Sequence, residues 1–274
     1  MEFYYLDTTN AIYCAMLLPI LAMAGNMAFA GSKDIRDIFT LICAILTFSC
    51  VLMILSNVGN GVTQATSLLN IFPGVDIAFS VEPLGLLFAI IASGLWILTH
   101  IYGVGYMRGN NEKHHARFFA CFCIAISSVI GIAFASNMFT LFLFYEILTV
   151  STYPLVAHKG TKESIRGARL YLSILIGTSI VLQLTAIIWT YVLTGTLDFT
   201  QGGILEGKVA GWIVPILLAL YAFGIGKAAL MPFHKWLPAA MVAPTPVSAL
   251  LHAVAVVKAG VFTMLKIGIY IFGI

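Results

Sequence analysis

Apolar runs of about 20 residues, each ended by a few charged or turn-forming residues, recur along the whole chain. A helical run of that length crosses the hydrocarbon core of a bilayer. The pattern predicts eight spans, near residues 9–31, 38–57, 83–107, 116–136, 138–157, 167–194, 211–231 and 247–273. The fourth and fifth are joined tightly through Ser136-Asn137. Between the second and third, "GNGVTQATSLLNIFPGVDIAFSVEP" breaks the rhythm with glycine, asparagine and alternating residues, which predicts an ordered extramembrane loop with short β structure. Lipid offers backbone groups no partners, so spans must be helices or a closed barrel. Runs this long and this continuous exclude the barrel.

Composition removes the soluble alternative. Of 274 residues, 61% are hydrophobic and 9% charged, with a mean hydropathy of +1.01. A water-soluble exterior cannot be built from so little polar material. The formal charge of +3 carries no message about nucleic acid. The five cysteines, Cys14, Cys43, Cys50, Cys121 and Cys123, all lie in apolar runs. Their odd number and placement argue against a disulfide framework, and the isolated Cys121-x-Cys123 pair is no metal site. No metal or cofactor is expected. The acidic start "MEFYYLD" lacks the positive segment of a cleavable signal peptide.

The basic residues set an orientation. Lys33, Arg36, Arg108, Lys113, Arg117, Lys159, Lys162, Arg166, Arg169 and Lys235 fall in one set of connections, and Lys208 alone in the other. By the positive-inside rule the N-terminus is outside and the connections 32–37, 108–116, 158–166 and 232–246 are cytoplasmic, in the inner membrane of a prokaryote. After this sorting only Glu146, Lys227, Lys258 and Lys266 remain at or near membrane depth. Lys266 lies close to the outer end of its span and is expected to snorkel to the headgroups.

Glu146, in "LFLFYEILTV", is therefore a carboxylate in an apolar run, where a charge costs about 3 kcal/mol on insertion scales. It shares a helical face with Thr149 and Tyr153. It is either a protonated group that bridges helices or a group that changes protonation. Lys227 sits in "YAFGIGKAALMPFHKWLP", after Gly224 and Gly226 and before Pro232, which predicts a break just after the lysine. Such breaks free backbone groups that bind ions or water. His234 would share the face of Lys227 only if the helix ran on. In the last span, His252 and Lys258 lie about 120° apart, and Lys258 is about 17 Å along the helix from Val247, too deep to snorkel. His100 reads as structural. Ser127, Ser128, Thr178, Ser179 and Gln183 either hydrate a path or bridge helices. An acid and two bases in three spans form a set through which protons can pass stepwise.

The segment "ALMPFHKWLPAAMVAPTPVSALLHAVAVVKAGVF", residues 229–262, closely resembles the signature of proton-translocating antiporter-like subunits, found in multisubunit Na⁺/H⁺ antiporters, membrane-bound hydrogenases and respiratory complex I. "GARLYLSILIGTSIVLQLTAIIWTYVLTGTLDF" and "VEPLGLLFAIIASGLWILTHIYGVGYM" resemble its sixth and third helices. The resemblance implies an all-α membrane fold with three leading helices (1–115) and one five-helix proton-translocating repeat (116–274) whose seventh helix is broken. It also implies that Glu146 pairs with Lys227 and that Lys258 and His252 forward protons. Glu82, in "VEPLG", stands where many relatives have aspartate. Members of this family have about fourteen helices and two inverted repeats, so these residues carry one half-channel; a natural split subunit, a truncated chain and a partial sequence all fit, and without the missing half a complete route would need the second repeat from another chain or a further copy.

The expected function is proton translocation as half of an antiporter-like subunit of a cation/proton antiporter, with protons and Na⁺ as the ions and other membrane subunits as partners. The alternatives are a proton-pumping subunit of a complex I-like or hydrogenase complex, and a non-conducting structural subunit. No nucleotide, flavin or iron–sulfur motif is present in the sequence, so no redox catalysis by the chain itself is expected.

Overall fold

The computed structural model describes residues 7–59 and 65–273. Its long helices are α1 (Thr8–Ala28), α2 (Lys33–Gly59), α3 (Pro83–Gly109), α4 (His115–Phe134), α5 (Met138–Val156) and α6 (Lys162–Thr194), all six long and apolar enough to cross a membrane. A twelve-residue apolar helix, α7 (Ile213–Gly224), stops short of a full span. After it come two single turns of 3₁₀ helix, Gly226–Ala228 and Phe233–Lys235, and a short helix α8 (Trp236–Ala240). The last helical run, α9 (residues 247–272), is α-helical only in its centre, with π-helical turns on either side. The protein is an all-α membrane protein with one small hairpin.

α4 is the hub. It packs on α1, α3 and α5, and 83% of its apolar window is buried, so almost no side of it meets lipid. A helix apolar all round can be enclosed in this way. Small residues let its neighbours come close: Gly85 of α3 sits against the carbonyl of Ala133, where a Cβ would collide with backbone. Ser127 donates to the Met16 carbonyl at 2.8 Å, a bridge between helices. Its sequence neighbour Ser128 bonds only within its own helix.

The expected β structure is an antiparallel hairpin of β1 (Thr66–Phe72) and β2 (Val75–Phe79), turned at Pro73-Gly74 with Gly74 at φ +79°. The hairpin is tied to the tight connection between α4 and α5. The Ser136 amide donates to the Ala78 carbonyl. Asn137 donates to the Asp76 carbonyl at 2.8 Å while its side-chain oxygen caps α5 at the Thr140 amide, 2.7 Å away. One asparagine thus fixes both the helix start and the loop above it.

Several boundaries differ from the sequence reading. The sixth helix begins at Lys162 rather than 167, because Thr161 caps it through the Ser164 amide and its charged first turns lie outside the apolar span. Arg36 is not in a loop: α2 starts at Lys33, and the 2%-exposed Arg36 pairs with Asp37 at 2.7 Å, which also binds Arg108 at 2.6 Å. Mutual pairing is what allows these charges inside the bundle. His100 donates its Nε2–H to the Asp37 carbonyl of this cluster, 2.9 Å away, consistent with a structural histidine.

Candidate functional site

The seventh helix breaks before Lys227, not after it. α7 ends at Gly224, and Lys227 lies within the 3₁₀ turn Gly226–Ala228, followed by Ala229 at φ +54°. Three close approaches hold the break. Gly224 lies against the Gln183 backbone in the π-helical turn Ser179–Gln183 of α6, and Gly260 of α9 lies against the backbone of Lys227 and Ala228. The freed carbonyl of Gly226 accepts the indole N–H of Trp236 at 2.8 Å. A broken helix in a membrane persists only when such partners re-satisfy its backbone.

This frame buries Lys227 completely. Its ammonium donates to the Thr149 hydroxyl at 2.6 Å and the Tyr145 carbonyl at 2.7 Å, both on α5. It also stands 3.1 Å from the centroid of the Tyr145 ring, a cation–π contact. The Lys227 amide donates to the Tyr145 hydroxyl at 3.1 Å, so one tyrosine grips both the backbone and the head of the lysine.

Glu146 sits on the same helix, its carboxylate beside the Ser179 hydroxyl of the π turn and acting on Lys227 through space. The direct ion pair implied by the resemblance is not formed in this structure. The hydrogen bonds of the ammonium go to Thr149 and Tyr145, and one carboxylate oxygen of Glu146 is buried with no hydrogen-bond partner. Oppositely charged groups that are near but not bonded can exchange partners without first breaking a contact.

His252 is buried beside Tyr171 and Trp236, with ring centroids 6.2 and 6.4 Å away, and neither of its ring nitrogens has a partner in the protein. Tyr171 shares a 2.6 Å hydrogen bond with Thr152, one turn along α5 from Thr149. The buried Gln183 is likewise without partners at both amide atoms. Polar groups thus run from Glu146 and Lys227 toward His252 along the contact of α5, α6 and α9.

The remaining two candidates stand apart. Lys258 faces outward, exposed in an apolar groove of about 290 Å³ lined by Leu84, Leu87, Phe88, Ile91 and residues of α9. The expectation that it faces the interior of this bundle is therefore corrected: one side of α9 is filled by Gly260 against the break, which turns Lys258 away. His234 is exposed in the second 3₁₀ turn, and the break removes any shared face with Lys227. Lys266 is corrected as well. It does not snorkel but is fully buried, 3.2 Å from Glu82. Sequence reasoning missed Tyr145 and Trp236 because their roles depend on partners 82 and 10 residues away in a non-helical turn. Glu82 and Lys266 stand at the same end of their spans, a usable signal.

Long apolar helices stacked around a buried lysine in a broken helix, with an acid on the neighbouring helix, define a polytopic membrane protein with a charged interior. Residues 135–272 match the family profile described as NADH:quinone oxidoreductase/Mrp antiporter, TM, and residues 73–119 match NADH-Ubiquinone oxidoreductase (complex I), chain 5 N-terminus. The chain belongs to the NADH:quinone oxidoreductase/Mrp antiporter membrane-subunit family. Over 197 residues it is 32% identical to the Staphylococcus haemolyticus protein named "Putative antiporter subunit mnhA2", covering 70% of this chain and 24% of that one. It is 29% identical over 256 residues to NADH-ubiquinone oxidoreductase chain 5 of Allomyces macrogynus, covering 91% and 39%. The fold matches a chain of the Mrp complex from Dietzia sp. DQ12-45-1b (TM-score 0.79, 24% identity, 95% of this chain and 28% of that). It also matches a chain of the membrane-bound sulfane sulfur reductase, an archaeal respiratory membrane complex (TM-score 0.82, 20% identity, 96% and 42%). The chain thus spans between a quarter and two fifths of the length of these curated relatives.

Proposed function

We propose that this chain carries a proton half-path of a cation/proton antiporter-type membrane complex, with Lys227 as its central proton carrier and residues 116–274 as the translocating repeat. The observation that carries the reading is the Lys227 ammonium, fully buried in a helix break and held by Tyr145 and Thr149 with Glu146 close but unbonded. A buried lysine is costly unless its charge is compensated, so small changes in its surroundings shift it between charged and neutral forms. Movement of Glu146 toward the ammonium favours the charged form; movement away favours release of the proton to the next acceptor. The buried, unpartnered groups of Gln183 and His252 supply the polar capacity that stabilises internal water along such a route. His252 is then the next station. His234 stands exposed on the cytoplasmic side of the break as the surface donor.

Orientation and partners follow from the same frame. Lys113, His114, Arg117 and Lys159 line a crevice of about 650 Å³ at one end of the bundle, which supports placing that end in the cytoplasm and the hairpin and N-terminus outside, in a prokaryotic inner membrane. Lys258, exposed among apolar side chains, supports a neighbouring membrane element with an acid to meet it, as a second repeat would provide. Na⁺ is the counter-ion of this reading. The match of residues 73–119 to the complex I chain 5 N-terminus favours a second reading, a pump subunit driven by redox partners.

The test is proton flux in vesicles containing the chain with the membrane partners that co-purify with it. Lys227→Ala and Glu146→Gln are expected to lower flux by about 100-fold and 10-fold. Unchanged flux in both variants would leave the chain as a structural subunit. Dependence on Na⁺ separates the antiporter reading from the redox-driven one.

A further inference from the structure

A second acid–base pair lies at the opposite end of the bundle, and no step proposed above uses it. Lys266 of α9 is fully buried, its ammonium 3.2 Å from the Glu82 carboxylate that precedes α3 and donating to the Ala135 carbonyl at 2.7 Å. Tyr270, one turn along α9, also stands beside Glu82. The Phe199 ring lies over the ammonium, its centroid 4.3 Å away. Phe199 also lines a polar cavity of about 440 Å³ beside the hairpin, together with Asp76, Ser80, Ser136 and Asp198. The lysine and the cavity share neighbours: Ala135 accepts from the ammonium, and the adjacent Ser136 lines the cavity and accepts the Phe199 amide at 3.1 Å.

A lysine serving only to join α9 to α3 would not need an aromatic cover facing a polar chamber. A buried ion pair retained only for packing can often be replaced as a whole by apolar side chains without loss. We propose that Glu82 and Lys266 form a proton-transfer station on the hairpin side of the membrane, that the cavity ringed by Asp76 and Asp198 is its water-filled vestibule, and that Phe199 gates the contact between them. This rests on the reading of the chain as a proton carrier. When the ring swings aside, an Nζ–H bond of Lys266 breaks and an O–H bond to a vestibule water forms, leaving a neutral amine and a hydronium ion that the two aspartates attract. Glu82 restores the ammonium by passing on a proton received from within the bundle. Among the described residues, the titratable groups that face the station are Glu82, Tyr270, Asp76 and Asp198.

Two measurements on the chain with its co-purifying partners in vesicles decide the matter. In a cysteine-free background, Lys266→Cys should react with a membrane-impermeant thiol reagent applied on the hairpin side, and adding Phe199→Ala should speed the reaction about tenfold or more. Reaction only from the other side, or no effect of Phe199→Ala, would overturn the vestibule and gate. For flux, Glu82→Gln and Lys266→Gln should each fall about tenfold or more, with Glu82→Asp restoring most of it. Wild-type flux with no change in Glu82→Gln and Lys266→Gln, both folded by thermal melting, would overturn this station and leave the Lys227 path standing. Absence of flux in the wild-type assembly would overturn the broader reading and this one together.

Discussion

Lys227 is fully buried where lipid and protein both disfavour a charge, and in the proposed reading the side chains around it divide the work. Thr149 and Tyr145 supply acceptors at 2.6 and 2.7 Å, which make an ammonium tolerable there, while Glu146 at longer range is the group proposed to adjust its charge. Two predictions belong at this scale. Lys227→Met combined with Glu146→Leu replaces both buried ionisable groups with apolar chains, so the melting temperature in detergent should hold or rise while proton flux is lost. A fall of many degrees would make these groups structural. Thr149→Val removes one acceptor from a buried ammonium and should cost about 1–3 kcal/mol of stability, read by the same melt. The candidate residues Glu146, Lys227 and His252 were legible in the sequence because each is an ionisable group in an apolar run. Tyr145 was not, since an aromatic residue in a span is ordinary until a distant backbone meets its hydroxyl.

At the level of elements, the break in the seventh helix is made by its neighbours as much as by its own sequence. Gly224, Gly226 and Pro232 announced an interruption, but Pro232 drew the expected break to the wrong side of Lys227. The helix ends earlier because the π turn of α6 and Gly260 of α9 press on the chain at Gly224 and Ala228. Gly260→Val should therefore displace the 3₁₀ turn, lower the melting temperature and reduce flux even though residue 260 carries no charge. Trp236→Phe removes the hydrogen bond to the Gly226 carbonyl and should cost about 1 kcal/mol. A double-mutant cycle with Lys227→Met would show whether that bond is coupled to the lysine; independent effects would mean that Trp236 merely fills space.

Across the whole molecule, charge is sorted by depth and by end. His158, just beyond α5 at the basic end, is buried near Arg117, His114 and His115; burial first, then these charges, pushes it from 6.5 down to about 4. Its neutral form is thus the one compatible with the fold. As pH falls from 6.5 to 4, the unfolded chain binds a proton that the folded chain refuses, so stability is lost across that window, by at most about 3 kcal/mol. His158→Gln should flatten this part of the stability–pH curve, measured by chemical denaturation in detergent; an unchanged slope would place the acid sensitivity elsewhere.

The sequence alone determined the solvent, the helical class, the approximate spans, an extramembrane loop with short β structure and the family, because apolar run length and the placement of charge follow from one-dimensional constraints imposed by a bilayer. It also separated the few intramembrane ionisable groups from the many in connections. Which way those groups face was decided only by tertiary packing. The side of α9 that receives the broken helix turns Lys258 outward, and the end of α3 that approaches α9 converts Lys266 from a surface lysine into the buried partner of Glu82. Rotation about a helix axis and the meeting of residues 184 positions apart depend on close contacts between backbones, and those exist only once the bundle has formed.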